Sequence, residues 1–212
     1  MTISRQFGAG GKTLGEFVAR RLGYQFIDEA IMQKVAEEAN VSVRWVEGVE
    51  REAGGRLMRV LSSLVPSSFI ERHVGEERSD FDESKYVEFL KKVMIDLAKE
   101  DNVVFLGRGS QFILADAPDV VKVLLVAERA DRILFLMDHY KLERGQAETM
   151  IGREERKRAR FLANFHGGDV NDPSLYNIVL NTSLIPIEVA ELQICDLVLS
   201  TVDKTATDIW DF

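Results

Sequence analysis

One segment constrains this chain more than any other: Thr2-Ile3-Ser4-Arg5-Gln6-Phe7-Gly8-Ala9-Gly10-Gly11-Lys12-Thr13. A short β-branched stretch runs into three glycines, a lysine and a threonine. Leu14, Phe17, Val18 and Leu22 then recur at helical spacing up to Gly23, which ends the helix. Strand, glycine-rich loop and helix in that order make a cradle for a nucleoside triphosphate. Glycines let backbone N–H groups curl around phosphate oxygens, and the helix N-terminus adds positive dipole charge. Lysine neutralises the β- and γ-phosphates, and the threonine hydroxyl reaches a magnesium ion. Gly8, Ala9, Gly10, Gly11, Lys12 and Thr13 are therefore the candidate ATP-phosphate ligands, with Lys12 also catalytic and Thr13 the magnesium ligand.

Two registers of that motif compete. The strict pattern G-x-x-x-x-G-K-[ST] ends on Gly11-Lys12-Thr13, but its first glycine falls on Gln6. The pattern G-x-G-K-G-T, set on Gly8 to Thr13, aligns the threonine while glycine and lysine trade places, so that Lys12 lies one residue late. The plain alternative is a glycine-rich turn before a helix, with no ligand.

The remainder alternates. Tyr24 to Ile27 reads as a strand ending in Asp28, residues 29–39 as a helix, and 84–99 as a helix with Val87, Leu90, Val93, Met94 and Leu97 on one stripe. Val103 to Leu106 and Val120 to Val126 are apolar runs suited to buried parallel strands, with Gly107-Arg108-Gly109 at the carboxyl end of the first. Glu128 to Tyr140 and Gln146 to Phe165 are helical, Ile178 to Leu180 and Leu197 to Thr201 are the last strands, and Pro186 to Ile194 is the helix between them. Strands alternating with helices predict an α/β fold, a doubly wound parallel sheet of the P-loop NTPase type with helices on both faces. Its 212 residues predict a single domain, 1–212, with 41–83 as a mobile acceptor-binding insert and 145–166 as a lid.

Ligands of such sheets bind beyond the carboxyl ends of the strands. That rule selects the loop at 8–13, Asp28 and Arg108. Arg108 between two glycines suits close approach to an acceptor phosphate, or is an exposed arginine on a tight turn. Asp28 can bind an acceptor hydroxyl, act as a base, or hold magnesium through water, and it can equally cap the helix that follows. Arg153, Arg156 and Arg160 are spaced three and four apart and share a helix face, whereas Arg158 is expected to point elsewhere. A row of arginines that closes over a cleft is a catalytic lid; beside Glu154 and Glu155 it can also be an ordinary solvated helix.

Other features exclude functions. The net charge of -8 argues against nucleic-acid binding, which rests on neutralising phosphates. No apolar run is long enough to span a membrane and the first residues lack a signal-peptide pattern, so a cytoplasmic enzyme without a membrane partner is expected. The single Cys195 rules out an internal disulfide and a cysteine metal cluster, and His73, His139 and His166 lack metal-ligand spacing. The sequence does not determine the oligomeric state.

These motifs add up to a resemblance. The chain resembles the cytidylate kinase-like family, a branch of the P-loop nucleoside monophosphate kinases. Ile3 to Thr13 is similar to its I-S-R-[EQ]-[FY]-G-[SA]-G-G-[KR]-x opening, and Leu22 to Asp28 to its L-G-[YW]-x-[FY]-x-D segment. Phe105 to Gly109 resembles its G-R-G element, Asp116-Ala117-Pro118 through Arg132 its strand–helix unit, and Tyr176 to Ser183 its Y-[DN]-L-x-[IL]-N-T-[SG] element. The resemblance implies magnesium-dependent transfer of the ATP γ-phosphate to a nucleoside monophosphate, CMP or dCMP. By it Arg108 and Asp28 contact the acceptor, and the Arg153–Arg160 face is the lid, closing over both substrates to exclude water. Gly109 stands where true cytidylate kinases carry aspartate, which leaves open another small-molecule acceptor, or a regulator that binds nucleotide without turnover.

Overall fold

The computed structural model describes residues 1–28, 83–99 and 102–202. The helix expected at 29–39 and the insert at 41–83 lie outside the described residues, except for Glu83, which opens a helix. Five strands form one all-parallel sheet: β1 (Thr2–Arg5), β2 (Gln25–Ile27), β3 (Val103–Leu106), β4 (Lys122–Val126) and β5 (Ile178–Asn181), in the order β2-β3-β1-β4-β5. The first strand is central, so the chain winds to one side of it and then to the other. The crevice between the two windings opens at the carboxyl end of β1, where the glycine-rich loop begins.

The helices are α1 (Gly11–Leu22), α2 (Glu83–Lys99), a one-turn α3 (Ser110–Ile113), α4 (Arg129–Tyr140), α5 (Arg144–Leu162) and α6 (Ile187–Val202). Their apolar stripes dictate where they dock. Leu14 and Val18 of α1, and Ala190, Ile194 and Val198 of α6, join Ile3, Val104, Val123 and Leu125 of the sheet in one core. Each such aliphatic side chain contributes about 1.5–3 kcal/mol on leaving water. The predicted stripe of α2, from Val87 to Leu97, is buried in full. Gly23 ends α1 at φ 70, a left-handed turn that glycine enters without steric cost.

Two expectations need correction. Strand β4 begins at Lys122 rather than Val120, because the Val120 N–H is spent on the turn to the Ala117 carbonyl. Leu197 to Thr201 is no strand: it is the last stretch of α6. The run is apolar, but Ala190, Ile194 and Val198 recur every fourth residue and carry the burial, while Leu199 faces outward.

Cys195 sits on α6 in the main core, and burial pushes its thiol up from the ordinary 9.0 to about 11. A thiolate fraction about a hundredfold smaller follows. Iodoacetamide at pH 8 is therefore expected to modify the native chain about 100-fold more slowly than the urea-unfolded chain; equal rates would refute the packing of α6 on α1. The unfolded chain releases this proton first. The protonated thiol's contribution to stability is thus whole below pH 9.0 and is lost as pH climbs toward 11.

Candidate active site

The loop after β1 is built by its glycines and by the end of β5. Gly8 (φ 89) and Gly10 (φ 75) are left-handed, and Gly10 is the N-cap of α1, which opens at Gly11. A Cβ on Gly8 would lie 3.0 Å from the Cβ of Arg132, so glycine there lets the loop rest on α4. Thr182 donates through its hydroxyl to the carbonyls of Ala9 and Val126, each at 3.3 Å, and the Ala127 N–H donates to Gln6 Oε1 at 3.0 Å. The Glu128 N–H donates to Ser183 Oγ at 2.8 Å. The Asn181-Thr182-Ser183 element thus fastens β5 to the loop and to the start of α4.

The two left-handed glycines are 8 and 10, and the residue that opens the helix is Gly11, where the pattern G-x-G-K-G-T has its lysine and the strict pattern has its second glycine. Lys12 follows, rotated about 100° round the helix. Its ammonium pairs with Asp28 Oδ2 at 3.1 Å, and its side chain is 64% exposed while that of Asp28 is 12% exposed. The hydrogen bond to Asp28, with the charge of that carboxylate, raises the Lys12 pKa above its ordinary value. The structure brings Lys12 and Asp28 to each other.

Arg108 and the arginines of α5 meet elsewhere. A cavity of about 560 Å³ lies between the carboxyl ends of β1 and β3 and the inner side of α5. Ser4, Arg5 and Phe7 form one wall, Gly107, Arg108 and Gln111 another, and Arg153, Glu154, Arg156, Lys157, Arg158, Arg160, Phe161 and Leu162 the third, with Glu154 paired to Arg153 at 3.0 Å. Gly107, Arg108 and Gly109 are all left-handed, at φ 74, 54 and 74. The turn is pinned by the Gly107 N–H, which donates to the Ile3 carbonyl at 2.9 Å. Three successive left-handed residues, one of them not glycine, store strain in the turn that holds Arg108. Its guanidinium carbon stands 5.1 Å above the Phe161 ring, joining the turn to α5.

Arg153, Arg156 and Arg160 face that cavity together, but so does Arg158, contrary to expectation. It belongs to the inward stripe of α5, with Ala147, Ile151 and Leu162 buried along the same side. Arg158 donates to Ser4 Oγ at 3.0 Å and to Asn171 Oδ1 at 3.1 Å, and burial pulls its pKa below the ordinary guanidinium value. Reading the helix by its arginines hid this; reading it from Ile151 by sevens reveals it. Arg5 and Gln111 were also missed. Arg5 ends the first strand, which puts it at the carboxyl edge of the sheet but assigns it no role. Gln111 is 3% exposed with both carboxamide atoms buried and unpartnered, which nothing in its sequence context signals. Among the described residues no group of three His, Cys, Asp or Glu side chains could cage a metal, and no helix is long and apolar enough to cross a membrane.

A central strand running into a left-handed glycine loop, a parallel sheet wound to both sides of it, and cations gathered at the sheet's carboxyl edge define the P-loop kinase class of fold. Within it, the chain belongs to the cytidylate kinase-like family, whose family model matches residues 1–184. It is similar to a cytidylate kinase of Pyrobaculum islandicum, 32% identical over 190 residues, covering 88% of this chain and 85% of that one. A cytidylate kinase of Pyrobaculum aerophilum is 26% identical over 211 residues, covering 99% and 94%. The crystal structure of an uncharacterized protein from Eubacterium ventriosum shares the fold, with a TM-score of 0.65 at 16% identity over 94% of this chain and 97% of that one.

Proposed function

We propose that this protein is an ATP- and magnesium-dependent phosphotransferase that moves the γ-phosphate of ATP to a nucleoside monophosphate, CMP or dCMP. The observation that carries the reading is the concentration of cations in one cavity: Arg5, Arg108, Arg153, Arg156, Lys157, Arg158 and Arg160 converge there in a chain of net charge -8. Phosphoryl transfer asks for positioning and for fixed positive charge around three clustered phosphate groups. In this reading the amides of Gly8 to Thr13 hold the donor phosphates at the N-terminus of α1. Arg108 binds the acceptor phosphate, Lys12 and Asp28 flank the acceptor side, and residues 145–166 close as a lid that excludes water.

The donor set beside the loop suits magnesium carried in on nucleotide phosphates. Thr13 offers a hydroxyl, and Asp28 a carboxylate already held by Lys12 at 3.1 Å. An ion that keeps its waters and leans on substrate oxygens needs no more than that. Thr13 would hold it directly and Asp28 through water, and its chemistry is neutralisation of the β- and γ-oxygens. We place the enzyme in the cytoplasm, with a nucleotide as its partner rather than nucleic acid or a membrane.

The test is ATP consumption against a panel of nucleoside monophosphates, with a no-acceptor control. Turnover with CMP or dCMP above the rest is the expected result. Silence across the panel with ATP still bound would overturn it, in favour of another small acceptor or a regulator without turnover. One observation favours a different acceptor: Gly109 puts no side chain where cytidylate kinases offer aspartate.

A further inference from the structure

The lysine of the glycine loop, Lys12, lies on Asp28, and a second cation passes directly beneath the loop. Gly11 opens α1 and is buried. A Cβ there would lie 2.8 Å from Arg5 Cγ, 3.1 Å from its Cβ and 3.3 Å from its Cδ. The stem of Arg5 therefore runs through the space that a side chain at position 11 would need. The same arginine ends over the turn after β3, where a Cβ on Gly107 would fall on its guanidinium. Two glycines thus form a channel for one side chain, one beneath its stem and one beneath its head. The Lys12 ammonium lies on Asp28, outside the walls of the cation-lined cavity that Arg5 helps to form.

We infer that Arg5, rather than Lys12, is the catalytic cation that binds the transferred phosphoryl group, and that Gly11 and Gly107 are glycine so that it can reach. The inference rests on the phosphotransfer reading and deepens it. In the step concerned, an acceptor phosphate oxygen bonds to the γ-phosphorus as the bond from that phosphorus to the β,γ-bridging oxygen breaks, and ADP leaves with the electron pair. Arg5 stays protonated throughout, and its planar fork offers paired donors to the equatorial oxygens, where an ammonium offers a point charge. A guanidinium fixed at one end of a strand also needs less reordering than one on a mobile lid.

The test compares Arg5→Met, which keeps the stem on Gly11 without the charge, with Arg5→Lys, Lys12→Met and the relocated cation Arg5→Ala/Gly11→Lys, in which the stem beyond Cβ is removed to admit the lysine. Arg5→Met is expected to lower kcat about 100-fold or more, with acceptor KM nearly unmoved. Arg5→Lys and the relocated cation should each recover about tenfold of that loss, and Lys12→Met should cost less than Arg5→Met. A second readout holds even if no acceptor supports turnover. Calorimetry on the wild type should show ATP bound more tightly than ADP, and Arg5→Met should erase that preference while Lys12→Met keeps it. An unchanged ATP-to-ADP affinity ratio in folded Arg5→Met, or a larger loss in Lys12→Met, would overturn the assignment. A silent acceptor panel beside an erased ratio would instead overturn only the transfer reading.

Discussion

Arg108→Gly should abolish most activity while leaving the fold as stable as it was. The backbone at position 108 is left-handed, which costs a side-chain-bearing residue about 1–2 kcal/mol. Glycine removes that strain but gives back about 0.4–1 kcal/mol through the freer unfolded chain, and the lost contact with the Phe161 ring returns a further ~0.5–1 kcal/mol. These terms oppose one another, so the melting temperature should move far less than the rate does. Activity has no such compensation. Initial rates with varied acceptor should show kcat/KM down by about 100- to 1000-fold. Arg108→Ala separates the two effects, since it keeps the strain, loses the ring contact, and should lose both stability and rate. Turnover of Arg108→Gly within threefold of wild type would mean that the strained turn serves something other than the acceptor.

That turn also marks where sequence reasoning succeeds and where it stops. Gly107-Arg108-Gly109 is legible because it ends an apolar strand and because an arginine between glycines is an unusual local choice. The parallel sheet is legible from its two apolar runs, Val103 to Leu106 and Val123 to Val126, while the central strand Thr2–Arg5 is mixed and is marked only by the glycine loop that follows it. The tail of α6 misleads for a related reason. Leu197 to Thr201 has the composition of a strand, and only its continuity with Ala190 and Ile194, four residues apart, shows the helical period. Arg158 fails in the opposite sense. A charged residue on a charged helix invites a solvated placement, yet its period matches Ile151 and Leu162, and Ser4 and Asn171 take its donors. Arg5 needed three dimensions. Its importance follows from two glycines far apart in the chain, and no local pattern relates Gly11 to Gly107.

The buried end of α4 predicts a second large effect, on stability. Arg132 is 7% exposed at its side chain and pairs with Glu155 of α5, whose own side chain is 37% exposed. The same Nη1 lies 3.4 Å from the Phe7 carbonyl, and Nε has no partner. The two halves of this pair are therefore unequal. Removing the glutamate leaves a guanidinium desolvated against one distant carbonyl, and Glu155→Ala should cost about 3 kcal/mol, or roughly 6–12 °C in melting temperature. Removing the arginine leaves a carboxylate that water can reach. Arg132→Met, which keeps the apolar stem, should cost only about 1–2 kcal/mol. Replacing both, as Arg132→Met/Glu155→Leu, removes the desolvated charge altogether and should return the chain to within about 1 kcal/mol of wild type. Because Gly8 rests on Arg132, Glu155→Ala should also weaken ATP binding, an effect a surface ion pair would not have. Denaturant melts of the three variants decide the matter: equal costs for the two single changes would show that the pair is hydrated, and that α5 is held to α4 by Ile133, Leu136, Ala147 and Ile151 alone.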